Sequence, residues 1–496
     1  MERSVGGHAM ESSQPCPKGS IRGKMSASEA VYEGCRLIQG TGVRVLLVKP
    51  YNLSDHIQPS LGLGYLAARI MDSHEVEILD CIKEKMDLPA FRKYVEDTKP
   101  DVVGFQTYTF DIPFVREAIE AVKEIDPRIK TLVGGPHPSS VPERVFEDFK
   151  SVDAGFKGEA EIGFKQYVDG APPETIPGLI YRENGQVRVN EPRFLDNLDE
   201  LGMPAWELIK PENYPESQHG FFFQKFPIAP IMLTRGCPYK CTFCAANLVS
   251  SRRHRRRSIE SVMGEINYLY HDRGIREFHI IDDNFSMNRK YVMEFLNALK
   301  DADLDISWAT PNGVRMNTLS DEMLALMKET GLYLISLGIE SGSDRILQLM
   351  RKDLSVSEIR RYVKMIDRAG IDIAGFFILG FPTETQEEMM KTIKLSLELP
   401  LIRANYFTYL PFPGTESYKM IEAEGELSDV DWDNFYFMNA AYVPRGMSRK
   451  RLKHIQNYAF IRFYARPRPF LKTVSGIKSP RHFWFLLKRL YHWLIM

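Results

Sequence analysis

Three of the six cysteines of this 496-residue chain fall within eight residues, in Arg235-Gly236-Cys237-Pro238-Tyr239-Lys240-Cys241-Thr242-Phe243-Cys244. Thiolates are ligands for zinc and for iron–sulfur clusters. A [4Fe–4S] cube needs one ligand per iron, so the spacing C-x-x-x-C-x-x-C leaves one iron open. An open iron can bind and reduce a small molecule, which a cluster closed by four cysteines cannot. A structural zinc site would ask for a fourth Cys or His at a regular spacing. His254 is the nearest candidate, and it stands inside the run Arg252-Arg253-His254-Arg255-Arg256-Arg257. Three unrelated buried cysteines are the remaining reading.

The elements around the triad alternate. Ile228 to Thr234 reads as the strand that delivers the cysteine loop, and Ser258 to Tyr270 as a helix with Ser258 as N-cap. Apolar strands then recur at Glu277–Ile281, Ile306–Thr310, Tyr333–Ile339, Ile373–Leu379 and Ala404–Leu410, with helices between them such as Asp321–Thr330 and Ser355–Ala369. These units fit an incomplete parallel (β/α)6 barrel. Its polar residues gather where the strands end, the face on which barrels carry their sites: Asp282-Asp283-Asn284, Arg315, Glu340-Ser341, and Gly380 with Pro382. Each residue has a plainer reading, the carboxylates as helix caps and the glycines as turns. The arginine run reads either as an anion site or as a solvated charge cluster.

Upstream, strands at Val43–Val48, Glu75–Leu79, Asp101–Phe105, Lys130–Val133 and Ala154–Phe156 alternate with helices at Leu61–Met71, Leu88–Val95 and Phe114–Ile125. That rhythm predicts a doubly wound, Rossmann-like parallel sheet over 42–170, with ligands at the carboxyl ends of its strands. Tyr108, Thr109, Gly134, Gly135, Pro136, His137, Gly158 and Glu159 fall at those ends. Residues 171–227 read as a Pro-rich, aromatic connector with a small hairpin at Asn184-Gly185. Residues 1–41 read as a flexible tail or extended start. A dinucleotide site is disfavoured, because no G-x-G-x-x-G follows the first strand.

The cysteine spacing, with Phe243 directly before the third cysteine, resembles the radical S-adenosylmethionine (SAM) superfamily, over about 228–415. The resemblance implies Cys237, Cys241 and Cys244 as ligands of a [4Fe–4S] cluster. It also implies SAM contacts from Phe243, Asp282, Asp283, Asn284, Arg315, Glu340, Ser341, Gly380 and Pro382. The segment 42–170 resembles the cobalamin-binding domain that precedes many such modules, on P-S-L-G-L-G-Y-L-A-A (Pro59–Ala68), V-G-G-P-H-P (Val133–Pro138) and G-E-A-E (Gly158–Glu161). Cobalamin contacts then fall to the strand-end residues named above, His137 either facing the corrin or being a loop histidine between prolines. D-x-H-x-x-G is absent after the first strand, where the loop reads Pro50-Tyr51-Asn52-Leu53-Ser54-Asp55-His56. Either cobalamin is held without a protein histidine on cobalt, which is the expectation, or the domain has lost the cofactor.

The region 431–496 differs again. After Asp433 it holds thirteen Lys and Arg and no Asp or Glu. On a helical wheel, Arg481–Met496 separates a basic side from an apolar, aromatic one, which suits either an anionic membrane surface or docking on the barrel. Elsewhere the composition is that of an ordinary globular protein, 44% hydrophobic and 26% charged with net charge −1. Neither a signal peptide nor an apolar run of about 18 residues is visible. Cys16, Cys35 and Cys81 show no disulfide framework. The expectation is an oxygen-sensitive, cytoplasmic enzyme with possible peripheral membrane contact.

The family resemblance implies a deoxyadenosyl radical made from SAM and a methyl group delivered from cobalamin, with an external flavodoxin- or ferredoxin-type electron donor. The leading reading is C-methylation of an unactivated carbon on a small, apolar or membrane-associated substrate, a lipid or tetrapyrrole. Alternatives are oxidative cyclisation of the anaerobic magnesium-protoporphyrin ester type, radical ring or C–C bond formation in lipids, and a non-catalytic cobalamin sensor. Nucleic acid is not expected, since no recognition module is present.

Overall fold

The computed structural model describes residues 42–52, 57–216, 222–480, 482–484 and 487. The expected tail 1–41, with Cys16 and Cys35, lies outside them. So do Leu53–His56 and most of the Arg481–Met496 wheel.

A seven-stranded sheet takes strands β1 (Arg44–Lys49), β2 (Glu75–Asp80), β3 (Val102–Gln106), β4 (Lys130–Gly134), β5 (Ala154–Phe156), β6 (Leu179–Glu183) and β7 (Gln186–Val189) in the order 2-1-3-4-5-6-7. The first five are parallel, with Val45–Val48 between Val76–Leu79 and Val102–Phe105. Their apolar runs are buried on both faces because helices cover both, as a parallel sheet requires. The order 2-1-3-4-5 changes direction between β1 and β3, and that switch point opens a crevice at the strands' carboxyl ends. The hairpin of β6 and β7 corrects the connector reading. It pairs antiparallel onto β5, so the sheet runs on to Val189.

The second sheet begins with β8 (Ile228–Ile231). A two-stranded ribbon, β9 (Thr234–Arg235) and β10 (Arg255–Arg256), brackets the cysteine loop. Then follow β11 (Glu277–Ile280), β12 (Ser307–Val314), β13 (Leu332–Glu340), β14 (Asp372–Leu379) and β15 (Arg403–Thr408). The six barrel strands are parallel in the order 15-14-13-12-11-8, an incomplete barrel whose end strands are β15 and β8. Helix starts match their sequence signals: Ser258 accepts from Ser261 N–H at 3.1 Å, and capping boxes open Val356–Arg368 and Gln386–Glu398.

The edge at β15 is covered by helix Arg449–Tyr464. Gln456, fully buried, donates to the Tyr406 carbonyl at 2.7 Å, and the Tyr464 hydroxyl donates to the Ala404 carbonyl at 3.2 Å. These side chains stand where a seventh strand would pair. Replacing Gln456 with alanine should strand the buried Tyr406 carbonyl and cost about 1–3 kcal/mol. A urea-denaturation midpoint unchanged from the parent would refute that.

The lobes share one core. Leu61 and Tyr65 of the first sheet's leading helix, Leu198, Trp206 and Tyr214 of the connector, and the barrel helices form a single apolar cluster. The connector's aromatics therefore pack the lobes together. Phe222 and Phe223 pack beside Tyr333 and His482 respectively, away from the cavity described next.

Candidate active site

The cysteine loop leaves the sheet at Arg235 and returns at Arg255, and buried ion pairs tie both ends to the N-terminal lobe. Arg235 meets Glu161 at 2.7 Å and Glu159 at 3.5 Å, while Arg255 takes Glu159 in a bidentate pair at 2.5 and 2.9 Å. Arg257 is fully buried and pairs with Glu265, which also accepts from the Trp206 indole at 2.9 Å. The arginine run thus alternates, with Arg255 and Arg257 inside and Arg252, Arg253 and Arg256 out. It is neither a free anion site nor simply a solvated cluster.

Within the loop, Gly236 sits at φ +87°, and a Cβ there would stand 2.2 Å from the Arg253 carbonyl oxygen, so only glycine lets the two ends approach. Thr242 fastens the middle: its N–H reaches the Met350 carbonyl at 3.0 Å and its hydroxyl the Leu349 carbonyl at 3.0 Å. Cys237, Cys241 and Cys244 are half-buried free thiols. Burial raises the Cys237 thiol and pushes Cys244 up to about 12. Binding iron must displace those protons. Among the described residues no group of three or more His, Cys, Asp or Glu side chains is placed to hold one metal ion. A cube differs in taking each thiolate on its own iron, so this donor set suits the cluster better than a single zinc.

Positive charge stands beside the thiols. The Arg315 guanidinium lies 3.8 Å from Cys241 Sγ and 3.5 Å above the Tyr239 ring, and also donates to the Lys352 carbonyl. Lys352 pairs with Glu340 at 2.7 Å and sits 6.0 Å over the Phe243 ring. Burial alone would depress Lys352, but Glu340 outweighs it and holds the ammonium above its usual range. Gly338 makes room for this pair, since a Cβ there would lie 2.4 Å from the Glu340 carboxylate. Lys352 carried no sequence signal, because its partner lies twelve residues back along the chain.

The strand-end residues divide. Asp282 does not face the gap: it accepts from Leu233 N–H (2.9 Å), Thr234 N–H (2.8 Å) and the Thr234 hydroxyl (2.7 Å), locking the strand that delivers the loop. Burial pushes its carboxyl up to about 7. Asp283 is exposed. Asn284 is buried with both side-chain polar atoms unsatisfied, a cost usually retained where a ligand or water supplies partners. The Ser341 hydroxyl is buried against Thr392 at 3.3 Å and accepts from Ser343 N–H. Pro382 is buried, and Gly380 is held by Glu384, whose carboxyl accepts from the Gly380 and Phe381 N–H groups at 2.7 and 3.1 Å.

Burial pushes Glu384 up to about 8, above its ordinary 4.5. The folded state therefore holds this proton more tightly than the unfolded chain. Stability is full below about pH 4.5 and is lost as pH rises through that value towards 8, by at most roughly 1.4 kcal/mol per unit. Glu384→Gln, always neutral, should remove that slope. Parallel pH–stability curves for parent and variant would count against it.

Opposite the loop, the carboxyl ends of β1, β3, β4 and β5 form one wall of a cavity of about 1060 Å³, the upper end of the usual range for ligand sites. Tyr108, Gly134, Gly135, Pro136, Gly158 and Glu159 line it, with Tyr108 stacked on Phe110 at 5.2 Å. Thr109 and His137 do not. The His137 ring is buried, Nε2 lying 3.0 Å from Asp148 and Nδ1 3.3 Å from Thr109 Oγ1, so it braces the loop and presents no nitrogen to a ligand. Among the described residues no histidine lines the cavity, whose wall at the strand ends is largely backbone and apolar groups. Its far wall is Arg235 and Ser250, Asn405 and Phe407 of β15, and Lys453 and Tyr464 of the covering helix.

Comparison with known proteins agrees with this division. Residues 231–396 match the radical SAM superfamily and residues 54–168 the B12 binding domain. The chain is 31% identical over 436 residues to an uncharacterized methyltransferase of Pyrococcus horikoshii, spanning 87% of this chain and 92% of that one. It is 25% identical over 456 residues to the anaerobic magnesium-protoporphyrin IX monomethyl ester cyclase of Rubrivivax gelatinosus, spanning 87% and 80%. The cobalamin-dependent SAM radical enzyme OxsB superposes with a TM-score of 0.70 over 92% of this chain and 72% of its own, and at 16% identity this likeness shows the fold. The cofactors of the two matched domains are a [4Fe–4S] cluster with SAM, and cobalamin. This chain belongs to the radical SAM superfamily, among the enzymes that carry an N-terminal B12 binding domain.

Proposed function

We propose that this enzyme methylates an unactivated carbon on a substrate with a large apolar part. The observation that carries the reading is a continuous cavity that runs from the first sheet's strand ends past Arg235 at the root of the cysteine loop to the barrel strand ends, with a predominantly apolar lining. The cavity reaches Arg235, Val249 and Ser250 at the two ends of the cysteine loop, while the three cysteines are not among its lining residues.

When bound, the cluster and SAM supply a hydrogen-abstracting radical, and cobalamin supplies the methyl group. Cys237, Cys241 and Cys244 would hold three irons and leave the fourth for SAM, with Asp283 and Asn284 nearby for its polar groups. Arg315 and Lys352 set positive charge beside the thiolates, which favours adding an electron from an external flavodoxin- or ferredoxin-type donor. Asp282 and Thr242 fasten the loop to the barrel, and the Glu159–Arg255 pair ties it to the first sheet. Tyr108, Phe110 and Phe407 line the chamber and keep water from a reactive carbon.

The test is anaerobic reconstitution with iron, sulfide, cobalamin, SAM and a panel of apolar and amphiphilic acceptors. S-adenosylhomocysteine and deoxyadenosine forming together, dependent on acceptor, are expected. Deoxyadenosine alone would favour the cyclisation reading, which the similarity to the magnesium-protoporphyrin ester cyclase motivates. Absence of SAM cleavage in cluster-loaded protein would overturn both.

A further inference from the structure

The described C-terminal helices leave apolar side chains in solvent. Ile461, on helix Arg449–Tyr464, is 58% exposed, and Phe470, Leu471 and Val474, on helix Pro467–Ser475, are 57%, 62% and 50% exposed. Trp484 is 69% exposed. Soluble proteins rarely gather such residues without a partner. Their place is specific, because the two helices pack together and the far wall of the cavity continues onto them through Ile461, Thr473, Ile477, Phe483 and Leu487. The exposed side chains therefore surround the chamber's outer end.

The charge carried by these helices has one sign. Arg468 and Lys472 pair with Asp367 and Asp372 of the barrel at 2.9 and 2.8 Å, which anchors the second helix and fixes the face it turns outward. Lys450, Arg462 and Lys478 are exposed and make no ion pair among the described residues. No acidic residue follows Asp433. An apolar face rimmed by unpaired cations complements an anionic bilayer surface: the side chains enter the acyl boundary while the cations remain at the headgroups. A second copy of this chain would bring the same cations against one another.

We propose that helices Arg449–Tyr464 and Pro467–Ser475, with Trp484, form a docking face for an anionic lipid membrane that sets the outer end of the cavity against the bilayer. The geometry rests on described residues, independently of Lys488–Met496. It deepens the functional reading, since an apolar substrate would then pass from the bilayer into the chamber without crossing water. Among the described residues no helix is long and apolar enough to cross a membrane.

The test is sedimentation of the full chain with vesicles of phosphatidylglycerol and phosphatidylcholine, against phosphatidylcholine alone. Binding to the anionic vesicles is expected, with a blue shift of tryptophan emission that Trp484→Phe removes. Leu471→Glu with Val474→Glu should weaken binding at least about tenfold, while thermal melting stays close to the parent because both side chains are exposed. Equal binding of parent and double variant, or no preference for anionic vesicles, would overturn the proposal. So would a parent dimer that the double variant converts to monomer without loss of vesicle binding. Vesicle binding needs no turnover, so its failure would leave the methylation reading standing, and the failure of methylation would leave the docking face standing.

Discussion

A Cys241→Ala enzyme is expected to cleave SAM at background rate, at least about a thousandfold below the parent, because each of the three irons not left to SAM needs its own thiolate. Cys241 is also the thiol beside which Arg315 is placed, at 3.8 Å. Its removal deletes a ligand and leaves a buried guanidinium with one partner fewer. Iron content and cluster absorbance after reconstitution should fall together with deoxyadenosine formation. Cobalamin retention should stay within about twofold, since the cavity wall at the first sheet does not depend on the thiol. Near-parental SAM cleavage in the variant would remove the cluster assignment. Loss of cobalamin together with iron would mean that the loop and the first sheet fold as one unit through Glu159 and Arg255.

The largest stability effect is expected at the opposite end of the barrel. Glu277, fully buried on β11, accepts from the Gln224 and Lys225 N–H groups at 2.7 Å each, from the Ser307 hydroxyl at 2.9 Å and from the Tyr333 hydroxyl at 2.8 Å; His279 Nε2 lies 2.9 Å away. Burial alone would raise this carboxyl, but His279 and the other donors outweigh it and hold it below the usual range. Glu277→Ala leaves those donors buried without an acceptor and should cost about 3–5 kcal/mol. Glu416→Ala, which removes an exposed pair with Arg351, should cost less than about 1 kcal/mol. Urea unfolding of the two variants gives the comparison. A Glu277→Ala midpoint within error of Glu416→Ala would show that the network contributes nothing net. Neither residue touches the cavity, so the effect on SAM affinity should be small once folded protein is compared.

Much of the fold is legible along the chain because its signals are local. The strand at Ala154–Phe156 and the helix starting after Ser258 depend on apolar period and on caps within four residues. The hairpin at Asn184-Gly185 is equally local, and β6 and β7 form there. What it joins is not local, so the segment read as a connector turned out to extend the first sheet. The arginine run hides a local signal in plain view: alternation of buried Arg255 and Arg257 with exposed Arg256 has the period of a strand. Charge type obscures it, because arginines usually face water, and only Glu159 and Glu265 make the inward positions tolerable.

The site divides along the same line. Sequence by itself determined the chemistry available: three thiols spaced for a cube with one open iron, a β/α rhythm that yields two parallel sheets, and polar residues gathered at their carboxyl ends. Those features follow from ligand spacing within one loop and from side-chain period within one element. Only the tertiary structure decided which strand-end residues remain available to a ligand. Asp282 became a lock on Leu233 and Thr234, Ser341 a packing partner of Thr392, and His137 a brace between Thr109 and Asp148, while Asn284 kept its side-chain polar atoms unsatisfied. Lys352 entered beside the thiols through Glu340 and Arg315. The physical reason is that a buried polar group must be satisfied, and most of these partners lie tens of residues away along the chain. The cysteine loop took its place for the same reason, held against the first sheet by carboxylates that no local pattern assigns to it.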